Sequence, residues 1–168
     1  MRRVRTILVA SAASAVALGA AGPATAHPVR AAAPSENIVA TAQAAGQFHT
    51  LTALLKRAGL AKTLQGKGPY TVFAPTDAAF AKVPKKTLNA LAADKAKLRA
   101  VLLYHVAKGK LTAAKVVKRT SIKTLNGQRV RVRVRNGKVF VANARVTTPD
   151  VAASNGVIHV INRVLIPS

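Results

Sequence analysis

Four carboxylates are the whole acidic complement of this chain: Glu36, Asp77, Asp94 and Asp150. Acid–base chemistry by paired carboxylates needs two of them converging on one substrate bond. A set this sparse, spread from residue 36 to residue 150, makes that pairing nearly impossible. The four histidines, His27, His49, His105 and His159, show no metal-ligand spacing. No Cys is present, which removes thiolate catalysis, disulfides, Cys-based metal sites and a lipidated leader cysteine together. Ser154, His159 and Asp150 can be written down as a triad, but they crowd one loop and strand, a poor frame for shared catalytic geometry. No G-x-S-x-G and no phosphate-cradling glycine run occurs. The residue types point away from an enzyme and call for no cofactor or metal.

What the chain does carry is cationic charge: 27 Lys and Arg against 4 Asp and Glu, a formal +23 at pH 7. Part of it is placed with a period of two. Arg129, Arg131, Arg133 and Arg135 alternate with Val130, Val132 and Val134, and Asn136-Gly137 follows. Asn-Gly between alternating runs is the strongest short-range hairpin signal. A two-residue turn there sets Arg135 opposite Lys138, Val134 opposite Val139, Arg133 opposite Phe140 and Val132 opposite Val141, and opposite residues share a face. Val130, Val132, Val134, Val139 and Val141 then make the core face. Arg129, Arg131, Arg133, Arg135 and Lys138 make the outer one, with Phe140 among them. Arg133 over the Phe140 ring would contribute ~0.5–1 kcal/mol. The outer face has two readings: the wet side of an ordinary half-buried hairpin, or an anion-binding face. Nucleic acid is the disfavoured anion, because two Tyr, four Phe and no Trp leave little to stack bases on.

The elements that must position these residues begin after a leader. Arg2, Arg3 and Arg5, the apolar stretch from Ile7 to Gly19 and the small-x-small Ala24-Thr25-Ala26 form a secretory signal peptide over 1–26. The apolar stretch is too short for a comfortable membrane anchor. No later stretch has spanning length, so no transmembrane segment is expected after cleavage. Cleavage leaves 24 basic residues against 4 acidic, since the leader holds three of the 27. For an exported protein the expected anions are cell-wall polymers, acidic polysaccharides or lipid headgroups. Residues 27–35 read as a flexible lead-in and 36–168 as one domain. Ser35 or Asn37 caps a helix over 37–45, and Phe48, Leu51, Leu54, Leu55 and Ala58 stripe a second over 47–58, closed by Gly59. A short helical turn spans 61–64, and Tyr70 to Phe73 is a short strand ended by Pro75. Thr76 or Asp77 caps the next helical turn. Helices follow over 85–92, 95–106 and 112–118. The period then changes to two: strands over 121–125, 128–135 and 138–143, a possible extension over 144–148, and a loop over 149–155. Residues 156–166, GVIHVINRVLI, read as a strand buried on both faces. Helices first and mostly strands later make the class α+β.

PYTVFAPTDAAF at 69–80, LLYHV at 102–106 and SNGVIHVINRVLIP at 154–167 together resemble a fasciclin-like domain in order, spacing and character. The resemblance covers nearly all of residues 35–168. It implies a small α+β module, a strand wedge flanked by helices, acting in adhesion or matrix binding without catalysis. It implies here a secreted, single-domain protein whose partner is a cell-surface or matrix protein or glycan. In some animal members a tyrosine–histidine pair is linked to integrin binding; here the pair is Tyr104-His105. A second adhesive pair, Asp-Ile, stands here as Asp150-Val151. The family often has Asp after HVI, where this chain has Asn162, which loses a charge.

Independently of the resemblance, His105 shares an apolar helix stripe with Leu98, Val101 and Leu102. A buried His needs a hydrogen-bond partner. Asp77, or the backbone of its loop, is the expected one. His159, in the buried final strand, is expected to be structural too.

Overall fold

A computed structural model describes residues 36–167; the leader over 1–26 and the lead-in over 27–35 lie outside the described residues. Three helices open the described chain: α1 (Ile38–Ala44), α2 (His49–Arg57) and α3 (Ala61–Gln65). The Asn37 side chain caps α1 by accepting from Ala40 N at 3.0 Å. α2 buries Leu51 and Leu55, the stripe read from the sequence, and Gly59 takes the left-handed conformation after it, at φ +72°. Strand β1 (Tyr70–Pro75) follows, then α4 (Asp77–Ala81), α5 (Lys85–Ala93) and α6 (Lys95–Tyr104). Thr76 caps α4 and Asp94 caps α6, each through its side chain. The remainder is β2 (Val106–Lys108), α7 (Ala113–Val117), β3 (Ser121–Lys123), β4 (Arg129–Arg135), β5 (Lys138–Val141), β6 (Ala144–Ala153) and β7 (Gly156–Ile161).

The strands form one seven-stranded mixed sheet in the order β2-β1-β7-β6-β5-β4-β3. Only β1 and β7 pair in parallel. The last strand in the chain is thus an interior one, and all six of its residues are buried, as its apolar run, broken only by His159, requires. A bridge between Ala107 and Thr124 joins the two ends of the order, so the sheet curls back on itself. Its two faces pack separately. On one, Val72, Ile158 and Val160 meet Phe48 and the helical residues Leu51, Leu55, Leu98 and Leu102. On the other, Phe73 and Ile161 meet Val130, Val132, Val141 and Val116. Adjacent Val72 and Phe73 enter opposite cores, the period of two made visible.

Several boundaries differ from the sequence reading. The helix expected to reach residue 106 stops at Tyr104, and Val106–Lys108 instead pairs antiparallel with Tyr70–Val72. The loop expected over 149–155 is mostly strand, because β6 runs through Pro149 to Ala153. Beyond Arg145, β6 has no partner on its β5 side, so a proline without an N–H is tolerated on that free edge. The pairing with β7 also slips there, between Val146 and Val151. β7 ends at Ile161 rather than 166, and Leu165 packs back into the core as non-strand chain.

Asn155 holds the helices to the sheet, a role its place in a turn did not announce. Its Oδ1 accepts from Ile38 N at 2.9 Å, its amide donates to Leu64 O and Gly66 O, and its own carbonyl accepts from Tyr70 N. Gly156 beside it lies so close to the Tyr70 carbonyl that any Cβ there would collide with it.

Candidate functional site

Tyr104 and His105 sit at the end of α6, and both are buried, at 8% and 2% exposure. The helix end turns His105 inward. Its Nδ1 donates to Val101 O at 2.7 Å, and its Nε2 accepts from Leu165 N at 2.9 Å. A carbonyl only accepts and an amide only donates, so the ring is the neutral Nδ1–H tautomer. Burial pushes its pKa down to about 4, against a smaller upward pull from the Val101 bond. This pair is core structure and offers no side chain to a partner on the surface.

The expected Asp77–His105 bond does not form. Asp77 Oδ1 accepts from Thr50 N at 2.8 Å, and Oδ2 accepts from His49 N at 3.3 Å and meets the His49 ring at 3.1 Å. The physical reason lies in α2. Phe48, its N-cap residue, has no side chain that can accept, so the first N–H groups of α2 would go unmet. Asp77, the first residue of α4, supplies the acceptor from another element. Partial desolvation pushes the Asp77 carboxyl up, but the hydrogen bonds from Thr50 and His49 outweigh it and hold the pKa below the ordinary value.

Asp150 and Val151 stand at the irregular centre of β6. Asp150 is exposed, with φ at +56°, and its Oδ1 accepts from Ala113 N at 2.7 Å. It therefore caps α7, where Thr112 makes no side-chain cap bond. Val151 pairs with Ile158 and packs on the helical core. His159 accepts at Nδ1 from Asp150 N at 3.3 Å, donates at Nε2 to Leu111 O at 2.6 Å, and stacks on Phe73 with ring centroids 5.6 Å apart. Burial lowers its pKa. Both His159 nitrogens are thus taken by backbone, which leaves none to serve as a base for Ser154.

The hairpin register is the expected one: Val132 pairs with Val141, Arg133 with Phe140, Val134 with Val139 and Arg135 with Lys138. Arg129, Arg131, Arg133, Arg135 and Lys138 are all exposed on the outer face. Val130, Val132 and Val141 are buried. Val134, expected in the core, is 49% exposed. Val139, its partner and also expected in the core, is only half-buried, so the cover over this face thins toward the Asn136-Gly137 turn. No stacked Arg133–Phe140 contact is found among the described residues. Nor does any acid approach the face. The ion pairs among the described residues are His49–Asp77 and Lys97–Asp94. Asp94 is further committed to Ala96 N and Lys97 N of its own helix. A second cationic region, with Lys108, Lys110, Lys115, Arg119 and Lys123, lines a groove beside β3. No group of three His, Asp or Glu converges into a metal site among the described residues, and no described helix is long and apolar enough to cross a membrane.

This geometry defines a class: a helix-backed, curled mixed sheet whose two buried histidines, His105 and His159, are held by backbone groups and whose outward chemistry is cationic. The Fasciclin domain model matches residues 46–167, and the chain belongs to that family. Protein sll1483 of Synechocystis is 46% identical over 132 residues, covering 77% of this chain and 73% of that protein. Uncharacterized protein sll1735 of the same organism is 40% identical over 130 residues, covering 77% of this chain and 97% of that one. Among solved structures, the FAS1 domain pair from the insect cell adhesion molecule Fasciclin I aligns with a TM-score of 0.68 at 20% identity. That alignment covers 80% of this chain and 52% of the other, and shows the shared α+β fold. The family occurs in cell adhesion proteins, and no catalytic family is indicated.

Proposed function

We propose that this protein is a secreted, non-enzymatic adhesion module that binds an anionic surface, such as a wall polymer or acidic glycan, through the outer face of the β4–β5 hairpin. The observation that carries this reading is the row Arg129, Arg131, Arg133 and Arg135 with Lys138: five exposed cations on one face, with no acidic partner. Unpaired charge costs the fold self-repulsion, and a polyanion relieves it. Asp150, exposed at the β6 irregularity, remains the candidate contact for a protein partner, with Val151 half-buried beside it. Tyr104 and His105 support a partner role only if the end of α6 opens.

Retention on wall polymer, acidic glycan, anionic vesicles and DNA, each at low and physiological salt, tests this reading. Retention on a glycan or wall polymer that weakens with salt supports it. Retention on none of them at low salt overturns it, and preference for DNA replaces it with a general polyanion binder.

A further inference from the structure

A groove of about 330 Å³ opens where β4, β5, the start of β6 and the end of β7 meet. Arg133 and Arg135 of β4, Arg145 of β6 and Arg163 beyond β7 line it with Phe140 and Asn162. The pairing explains the convergence. Arg133 lies opposite Phe140, and Phe140 lies opposite Arg145, so one row crosses three strands with Phe140 between two arginine positions. Asn162 continues the row: its N donates to Arg145 O at 3.1 Å, and its Oδ1 accepts from Arg145 N at 2.9 Å. Two of these arginines stand far along the chain from the RVRVRVR run, and only the sheet brings them to it.

No carboxylate lines this groove, and none of its four arginines makes an ion pair among the described residues. One feature sets it apart from the lysine-rich groove beside β3, which likewise lacks a carboxylate. Arg145 Nε is buried with no hydrogen-bond partner. A buried donor without an acceptor is rare because it forfeits its hydration for nothing. The lysine-rich groove beside β3 holds no such atom.

We propose that this groove binds a phosphate ester, the phosphate among the arginines and the carbon skeleton it carries over Phe140. This rests on the proposed anionic partner and names its charged group. One guanidinium fork satisfies a planar carboxylate. Four arginines lining one groove match a group with three acceptor oxygens and nearly two negative charges. Phe140, half-buried between Arg133 and Arg145, offers the apolar surface that a sugar or polyol needs.

Isothermal titration of the protein at about 150 mM NaCl with glucose 6-phosphate, inorganic phosphate and glucuronate tests the site. Glucose 6-phosphate is expected to bind at least about tenfold more tightly than glucuronate, the margin of one charge-assisted contact. Asn162→Asp puts a carboxylate in the groove while keeping an acceptor for Arg145 N, and should weaken the ester by about tenfold or more. Arg145→Gln should do the same. Lys85→Gln/Lys86→Gln on α5 removes two charges outside the groove and should leave binding unchanged. Equal affinity for ester and glucuronate, or equal weakening by the α5 pair, overturns the site. So does unweakened ester binding by Asn162→Asp of native stability. Competition of poly(glycerol phosphate) with the ester supports the groove with a polymer as its source, and ester binding without competition supports it with a free phosphorylated sugar. If the ester fails to bind while polymer retention is still lost in Arg129→Gln/Arg131→Gln, the groove falls and the proposed function stands. If nothing anionic binds, both fall.

Discussion

His105 and His159 show how a side chain of ambiguous chemistry is settled by its partners. Each ring has one nitrogen facing a carbonyl and the other facing an amide, so each is fixed as neutral. That has a pH consequence. The folded pKa of His105 lies at about 4, against an ordinary histidine value of 6.5, so the unfolded chain takes up the proton first. The stabilisation is fully present above pH 6.5 and is lost as pH falls to about 4, on the order of 3 kcal/mol. His159 acts in the same direction, and Asp77 adds a loss only below its ordinary value of 3.8. Urea midpoints measured from pH 7 to pH 4 should fall, and His105→Gln should flatten part of that slope. A slope identical in wild type and variant would contradict the neutral buried ring. Asn155→Ala removes three side-chain hydrogen bonds that tie α1 and α3 to the β6–β7 turn, and should cost about 3 kcal/mol by the same denaturation.

At the scale of elements, the β4–β5 hairpin was legible because two independent signals agreed, the period of two and Asn136-Gly137. The position of its tip was not, because alternation reports a face and not how far the opposite layer extends. That difference is measurable. Val130→Ala, in a fully buried position, should cost about 2 kcal/mol. Val134→Ala, at 49% exposure, should stay within about 0.5 kcal/mol. Equal costs would mean the tip is covered after all. Caps show the same limit. Asn37, Thr76 and Asp94 cap the helices that follow them, and such caps are local in sequence. Asp77 caps α2 from 27 residues away, measured to Thr50, and no local pattern announces that. A bond to His105 would match a scarce acid with a buried ring, but the otherwise uncapped start of α2 takes the Asp77 carboxylate instead. Pro149 misled for a related reason: a proline ends a central strand, but not a stretch of strand with a free edge.

For the whole molecule, family and fold were readable from three separated segments, two of which lie on β1 and β7, the parallel pair in the interior of the sheet. The arginine groove was not readable, because Arg145 and Arg163 meet the hairpin only through cross-strand pairing. The excess charge finds few acidic partners among the described residues, since Asp77, Asp94 and Asp150 already serve helix starts. A cationic face on an adhesion-type fold is therefore best understood through what it meets outside the chain. Retention on an anionic wall polymer, titrated with salt for wild type and for Arg131→Gln/Arg133→Gln/Arg135→Gln, tests this most directly. The variant is expected to keep native stability, with weaker retention at low salt and a shallower dependence on salt. Retention and salt dependence unchanged in the variant would contradict this reading and leave the hairpin face merely solvated.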